Sequence, residues 1–251
     1  MKQFGLIGKK LGHSYSKSYF EDKFNKLGIT DCTYDLFRLE SIDEFPGVVD
    51  SHTNLKGLSV TIPYKETIIP FLDELDQSAK ETGAVNCIKV ETNAGKKKLT
   101  GYNTDAFGFK QSIKPFLEPQ HDKALILGTG GASKAVAYVL KQIGVNCFFV
   151  TRKNESHKED HFTYEQLREQ NITDHFKLIV NCSPLGMYPD VDACPDISFD
   201  SVGSQHLLYD LVYNPEQTLF LKKGKEKGAV CINGLSMLYH QADKAWEIWN
   251  S

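Results

Sequence analysis

Lys65 stands just beyond an apolar stretch that reads GLSVTIP, and Thr61 precedes it by four residues. A lysine there is either a solubilising surface charge or an ammonium aimed into a cleft. Other polar groups recur at comparable places. Ser14 and Ser16 follow the first apolar strand, Asn86 opens the strand after Gly83–Ala84–Val85, and Asp105 closes the run Gly101–Tyr102–Asn103–Thr104–Asp105, with Thr104 placed as a helix N-cap. Each alone is explained by local structure. Together they set hydroxyls, an amide, an ammonium and a carboxylate at the carboxyl ends of strands, where open α/β sheets bind ligands. An aliphatic substrate rich in hydroxyls needs that mixture of donors and acceptors.

A second chemical signature is ALILGTGGASKAV. An apolar strand runs into Gly128, Gly130 and Gly131 and then into a helix. Gly128 permits the tight turn, Gly130 admits a pyrophosphate against the backbone, and the helix start offers free N–H groups to that anion. Ser133 takes the third position of the motif, where a small residue serves. The same residues could form a strand-to-helix turn with no ligand, but their context favours a nucleotide. About 20 residues past the glycines an NAD site carries a carboxylate for the ribose 2′-hydroxyl. Here the strand ends in Thr151, Arg152 and Lys153, with no carboxylate before Glu155. A hydroxyl and two cations suit a 2′-phosphate, so the expected cofactor is NADP. Two solvated charges in a surface turn are the plainer alternative.

The elements that must position these groups alternate strand and helix, the signature of an α/β protein with parallel sheets. In the first block the pattern predicts strands over Phe4–Gly8, Thr33–Leu39, Leu55–Ile62 and Ala84–Glu91, with a hairpin turn at Asn93–Ala94–Gly95. Helices are predicted over Tyr15–Leu27 and Lys65–Glu81, stopped by Gly28 and Gly83. After a polar connector at Phe116–Asp122, strands are expected over Ala124–Leu127, Asn146–Val150, Leu178–Asn181, Leu207–Val212 and Ala229–Ile232. The helices of this second block are expected over Gly130–Ile143, Tyr164–Gln170, Gln217–Lys227 and Ser236–Trp249. The expected fold class is α/β: a mixed-sheet N-terminal domain and a Rossmann-like domain with a doubly wound parallel sheet.

Composition narrows the function classes. A chain of 251 residues is long enough for one large or two small domains. Its net charge of −3 argues against nucleic-acid binding, which usually shows a basic excess. No apolar run approaches the roughly 18–20 residues of a spanning helix, and the N-terminal apolar core is too short for a secretory signal. A cytoplasmic protein with no membrane partner is therefore expected. The six cysteines have no CxxC spacing and lie mostly in apolar runs, so they read as small hydrophobes rather than a disulfide framework. His157–Lys158–Glu159–Asp160–His161 lacks the HExxH order and reads as a surface loop, so no metal is expected.

The segments GLIG, LGHSYS, VTIPYKE, GAVN, GYNTD, GTGGASKAV, NCSPLGM, YDLVYNP and NGLSMLYHQA follow one another along the chain and resemble those of the shikimate dehydrogenase family. The resemblance implies reversible reduction of 3-dehydroshikimate to shikimate by NADPH, in chorismate and aromatic amino-acid biosynthesis. It implies a substrate-binding and catalytic domain over residues 1–104, to which a helix at 236–251 returns, and an NADP domain over 105–235. By position, Ser14 and Ser16 would hold the substrate carboxylate, with Tyr213 facing it. Thr61, Lys65, Asn86, Asp105 and Gln241 would contact the ring hydroxyls. Gly128, Thr129, Gly130, Gly131 and Ala132 would take the pyrophosphate, and Thr151, Arg152 and Lys153 the 2′-phosphate. Leu211 and Gly234 would lie along the nicotinamide. The chain departs from the family pattern at Lys9–Lys10, Lys17, Ser59, Ala106 and Thr151–Arg152–Lys153, and none of these removes a group the chemistry needs.

Hydride delivery to a ketone creates an alkoxide, which needs a proton and positive charge nearby. Within the resemblance, Lys65 would supply both. Asp105, near a helix N-terminus, would orient Lys65 and a substrate hydroxyl. On this reading Lys65 is aimed into the cleft. A quinate/shikimate dehydrogenase of broader specificity, often NAD-using, is the nearest rival, and the Arg152–Lys153 pair speaks against it. A catalytically silent NADP-binding relative would be expected to have lost Lys65 or Asp105, and both are present. Monomer and homodimer both stay open.

Overall fold

A computed structural model describes residues 1–12, 15–152, 159–170 and 172–251 of the chain. These divide into two compact units, 1–107 with 241–251, and 108–240. The chain opens with β1 (Lys2–Gly8), α1 (Tyr15–Leu27), β2 (Cys32–Arg38), α2 (Phe45–Ser51) and β3 (Leu55–Val60). It continues with β4 (Glu74–Leu75), α3 (Gln77–Thr82), β5 (Cys87–Asn93), β6 (Lys96–Tyr102) and α4 (Thr104–Ile113). The first sheet has the order β2-β1-β3-β5-β6-β4. β1 runs parallel to β2 and β3, whereas β5 is antiparallel to both β3 and β6, so the sheet is mixed, as expected. Alternation along β1 places Phe4 and Leu6 in one core, with Phe20, Phe24 and Trp249, and Ile7 in another, with Leu58, Val60 and Ile88. Both faces of the sheet are therefore covered, which its parallel half requires. The hairpin turn falls at Ala94 and Gly95, where φ is 49° and 81°. Positive values at both central residues match the right-handed twist of the flanking strands.

Two expectations for this unit are corrected, and one helix lies outside them. The helix predicted over Lys65–Glu81 is interrupted by a short 3-10 turn at Ile69–Phe71, then by β4, and only α3 is α-helical. Pro70 has no N–H with which to continue a helix, and the Asp76 carboxylate restarts one by accepting the Ala79 N–H at 2.8 Å. The stop at Gly83 holds, with φ at 61°. Thr104 is not the N-cap of α4 but its first residue; the Asn103 Oδ1 accepts the Ala106 N–H at 3.0 Å instead. α2 was not expected at all. It follows a 3-10 turn that carries a capping box between Ser41 and Glu44.

The later elements are β7 (Lys123–Leu127), α5 (Gly131–Gln142), β8 (Asn146–Thr151), β9 (His161–Thr163), α6 (Tyr164–Glu169) and β10 (Leu178–Asn181). After them come β11 (Leu207–Asp210), α7 (Leu219–Glu226), β12 (Val230–Ile232) and α8 (Leu235–Asn250). The second sheet is parallel throughout, in the order β12-β11-β10-β7-β8-β9. Counted from β7, this is the 3-2-1-4-5-6 arrangement of doubly wound dinucleotide-binding folds, with its reversal between β7 and β10. Leu125, Leu127, Val150, Ile179, Leu208 and Phe220 fill its core. The segment expected as a loop at 157–161 ends differently: His157 and Lys158 lie outside the described residues, and His161 opens β9, stacked on Phe149 with ring centroids 4.9 Å apart. No described helix is long and apolar enough to cross a membrane.

Candidate functional site

The first unit builds a polar cluster from the ends of three strands. Asn86 sits where β3 and β6 finish: its carbonyl accepts the Val60 N–H at 2.8 Å and its N–H donates to the Tyr102 carbonyl at 3.1 Å. One residue earlier, the Val85 N–H donates to the carbonyl of Lys65 at 2.7 Å. The turn that carries Lys65 begins at Thr61, whose N–H donates to Ile7 and whose carbonyl accepts from Tyr64. Tyr64 anchors that turn, burying its ring and donating its hydroxyl to the Leu39 carbonyl at 2.7 Å. Gly8 lets the turn close, because a Cβ there would lie 2.6 Å from the Thr61 methyl.

Onto this frame the side chains converge. The Lys65 ammonium donates to Asp105 Oδ2 at 2.6 Å, and Asn86 Nδ2 donates to Asp105 Oδ1 at 2.9 Å. Asn86 Oδ1 accepts the Thr104 N–H at 2.6 Å, and Gln241 Oε1 lies 3.4 Å from both Asn86 Nδ2 and Thr104 Oγ1. Lys65, Asn86, Asp105 and Gln241, named separately from the sequence, are thus one hydrogen-bonded group. Thr104 belongs to it as well, a role hidden by its position in a helix start. The Lys65 side chain keeps 17% of its surface exposed and Asp105 10%, so the pair is mostly buried yet reachable.

Ser16, in the first turn of α1, is half-buried, and Ser14 lies outside the described residues. The phenol of Tyr34, beside Ser16, donates to Ser59 Oγ at 2.9 Å. Burial raises this phenol above its ordinary value, so it stays a neutral donor. Nothing in the strand CTYDLFR marks Tyr34 as more than core.

In the second unit the glycine loop has the geometry its motif requires. Gly128 has φ of 117°, and a Cβ there would meet the backbone of Cys182 and Ser183 at 3.5–3.6 Å, at the reversal of strand order. Gly130 is the N-cap of α5 and brings no side chain to cap it. The first N–H groups of α5 are left for an anion, and the space where a Gly130 Cβ would point is open. Ser133 is buried and turns its hydroxyl back to the Gly130 carbonyl at 2.6 Å. Thr151 ends β8 buried, and Arg152 follows it into solvent; Lys153 lies outside the described residues. Leu211 and Gly234 abut, since a Cβ on Gly234 would fall 2.1 Å from the Leu211 carbonyl oxygen. Tyr213 is half-buried two residues further along. These residues fit a dinucleotide: a glycine cradle for pyrophosphate and a cation at the end of the second strand.

Comparison with known proteins places the chain in a family. Residues 6–88 match the family model described as shikimate dehydrogenase substrate binding domain. A protein of Methanosphaera stadtmanae named shikimate dehydrogenase (NADP(+)) is 35% identical over 98% of this chain and 90% of its own length. Among solved structures, shikimate dehydrogenase 1 from Peptoclostridium difficile is 37% identical with a TM-score of 0.84, covering 100% of this chain and 92% of that one. The shikimate 5-dehydrogenase of Thermus thermophilus, in complex with NADP(H) and shikimate, is 30% identical with a TM-score of 0.84, covering 99% of this chain and 93% of that one.

Proposed function

The chain belongs to the shikimate dehydrogenase family, and from that premise we propose how its residues carry out the reaction. It is an NADP-dependent oxidoreductase that interconverts 3-dehydroshikimate and shikimate. The observation that carries the mechanism is the 2.6 Å ion pair of Lys65 and Asp105 within the Asn86–Thr104–Gln241 group. NADPH supplies the hydride when bound. The Lys65 ammonium donates a proton to the oxygen that turns into an alkoxide, and its charge stabilises that oxygen beforehand. Asp105 holds the ammonium in place and has accepting capacity left for a substrate hydroxyl. Asn86 and Gln241 bind further hydroxyls, and Ser14 and Ser16 bind the carboxylate far from the reacting carbon. The unit 1–107 with 241–251 would bind the substrate, and the unit 108–240 would bind NADP through residues 128–132 and Arg152. The setting we propose is chorismate and aromatic amino-acid biosynthesis in the cytoplasm.

The deciding experiment mixes purified protein with shikimate or quinate, each with NADP or NAD, and follows absorbance of the reduced nicotinamide. Shikimate with NADP should react fastest. A preference for quinate or for NAD would favour the broader enzyme, and no reduction in any arm would favour a silent relative.

A further inference from the structure

The second unit contains a carboxylate that the reaction does not use. Asp210 ends β11 with none of its surface exposed. Asn181 Nδ2 and the Val212 N–H donate to its Oδ1 at 2.9 and 3.0 Å, and Thr218 Oγ1 donates to its Oδ2 at 2.6 Å. The donors come from three segments: the end of β10, the turn after β11 and the N-cap of α7. All three are neutral, and no ion pair to Asp210 is found among the described residues. Burial accordingly lifts its carboxyl to about 6, against the pull of these donors. An interior anion without a cation disfavours folding. Departures of that kind concentrate where a site needs them.

We propose that Asp210 is a positioning residue for the nicotinamide end of the cofactor site. Its bond to the Val212 N–H fixes the peptide that follows Leu211. The Leu211 carbonyl then lies against Gly234, and the Gly234 N–H donates to the Val212 carbonyl at 3.2 Å. In the other direction Asn181 Oδ1 accepts both the N–H and the hydroxyl of Ser183, at 3.0 and 2.6 Å. The peptide between Cys182 and Ser183 is the backbone that faces Gly128. A single carboxylate therefore ties the Leu211–Gly234 contact to the base of the glycine loop. The inference rests on the reading that Leu211 and Gly234 flank the nicotinamide.

The test compares binding of NADP with binding of adenosine 2′,5′-bisphosphate, which lacks the nicotinamide half. In Asp210→Asn the dissociation constant for NADP should rise at least fivefold, while that for the bisphosphate stays within twofold. Turnover with shikimate and NADP should drop tenfold or more, with KM for shikimate within twofold. Thr218→Val, which spares the Asn181 and Val212 bonds, should move the same ratio in the same direction but less, and it decides the matter if Asp210→Asn does not fold. A folded variant with parental NADP affinity and turnover would overturn the proposal. So would equal weakening of both ligands, which would make Asp210 merely structural. A parent that binds NADP but does not oxidise shikimate would instead refute the functional reading, because the binding ratio needs no turnover.

Discussion

Lys65 and Asp105 are 40 residues apart in the chain, yet the ammonium of one lies 2.6 Å from the carboxylate of the other. An exposed pair of this kind contributes little, but this one is mostly buried and tied to Asn86. The turn at Thr61–Tyr64 and the start of α4 deliver the two charges to the same place. Removing either leaves the other without its partner in a poorly solvated site.

Lys65→Ala should therefore lower turnover by about 10²–10⁴-fold, the usual worth of general acid–base help. KM for shikimate should change less, because the proposed ring contacts at Asn86, Thr61 and Gln241 remain. Asp105→Asn should also be slow, and the double variant little slower than the poorer single one if the two act as a unit. Steady-state kinetics of the three folded variants check this. Near-parental turnover in Lys65→Ala would return Lys65 to the surface-charge reading.

If Arg152 holds the 2′-phosphate as proposed, cofactor choice turns on it. Replacing it with Asp removes a charge-assisted phosphate contact worth roughly 1.5–3 kcal/mol and adds repulsion. KM for NADP should rise by at least about tenfold, while that for NAD changes little. Equal NADP constants in variant and parent would dismiss the 2′-phosphate assignment.

Ser14 and Ser16 serve binding rather than chemistry in the proposed mechanism. Their joint replacement by Ala should raise KM for shikimate and leave NADP affinity unchanged. Because the Tyr34 phenol lies beside Ser16 and donates to Ser59, Tyr34→Phe should shift KM in the same direction by a smaller factor. Parental shikimate affinity in the double variant would make the N-terminal cluster structural.

Lys65, Asn86 and Asp105 could be read from residue types because they sit at or just beyond strand ends, where periodicity and turn residues announce the position, whereas Gln241 lies within α8 and was implied only by the family resemblance. Lys65, Asn86 and Asp105 are separated by 21 and 19 residues, and only the strand pairings bring them together. At Asn103–Thr104 two adjacent residues can both cap; Asn is the stronger of the two, and the Ala106 N–H does bond to Asn103. The broken helix after Lys65 had a signal in Pro70 that helical spacing overrode. The capping box at Ser41–Glu44 is legible as a Ser followed three residues later by Glu. Asp210 gave no local sign, since its isolation from cations exists only once three distant segments fold around it.

Asp210 should also mark the pH dependence of stability, independently of any ligand. Burial raises its carboxyl from 3.8 to about 6. The folded protein then holds a proton that the unfolded chain releases, so the stabilising contribution is complete below about 3.8 and is lost as pH rises through about 6. At 1.36 kcal/mol per pH unit the loss amounts to about 3 kcal/mol at most. His121 and His206 act in the opposite sense: burial lowers both, so the folded state resists their protonation and stability falls as pH drops below 6.5. The parent's profile mixes these contributions, and only its difference from Asp210→Asn isolates the carboxylate. Denaturant unfolding of both proteins from about pH 4.5 to 8 should show the variant gaining on the parent up to about pH 6–7, after which the difference between them stays constant. A gap that does not change across that range would mean that Asp210 carries no displaced proton in the folded state.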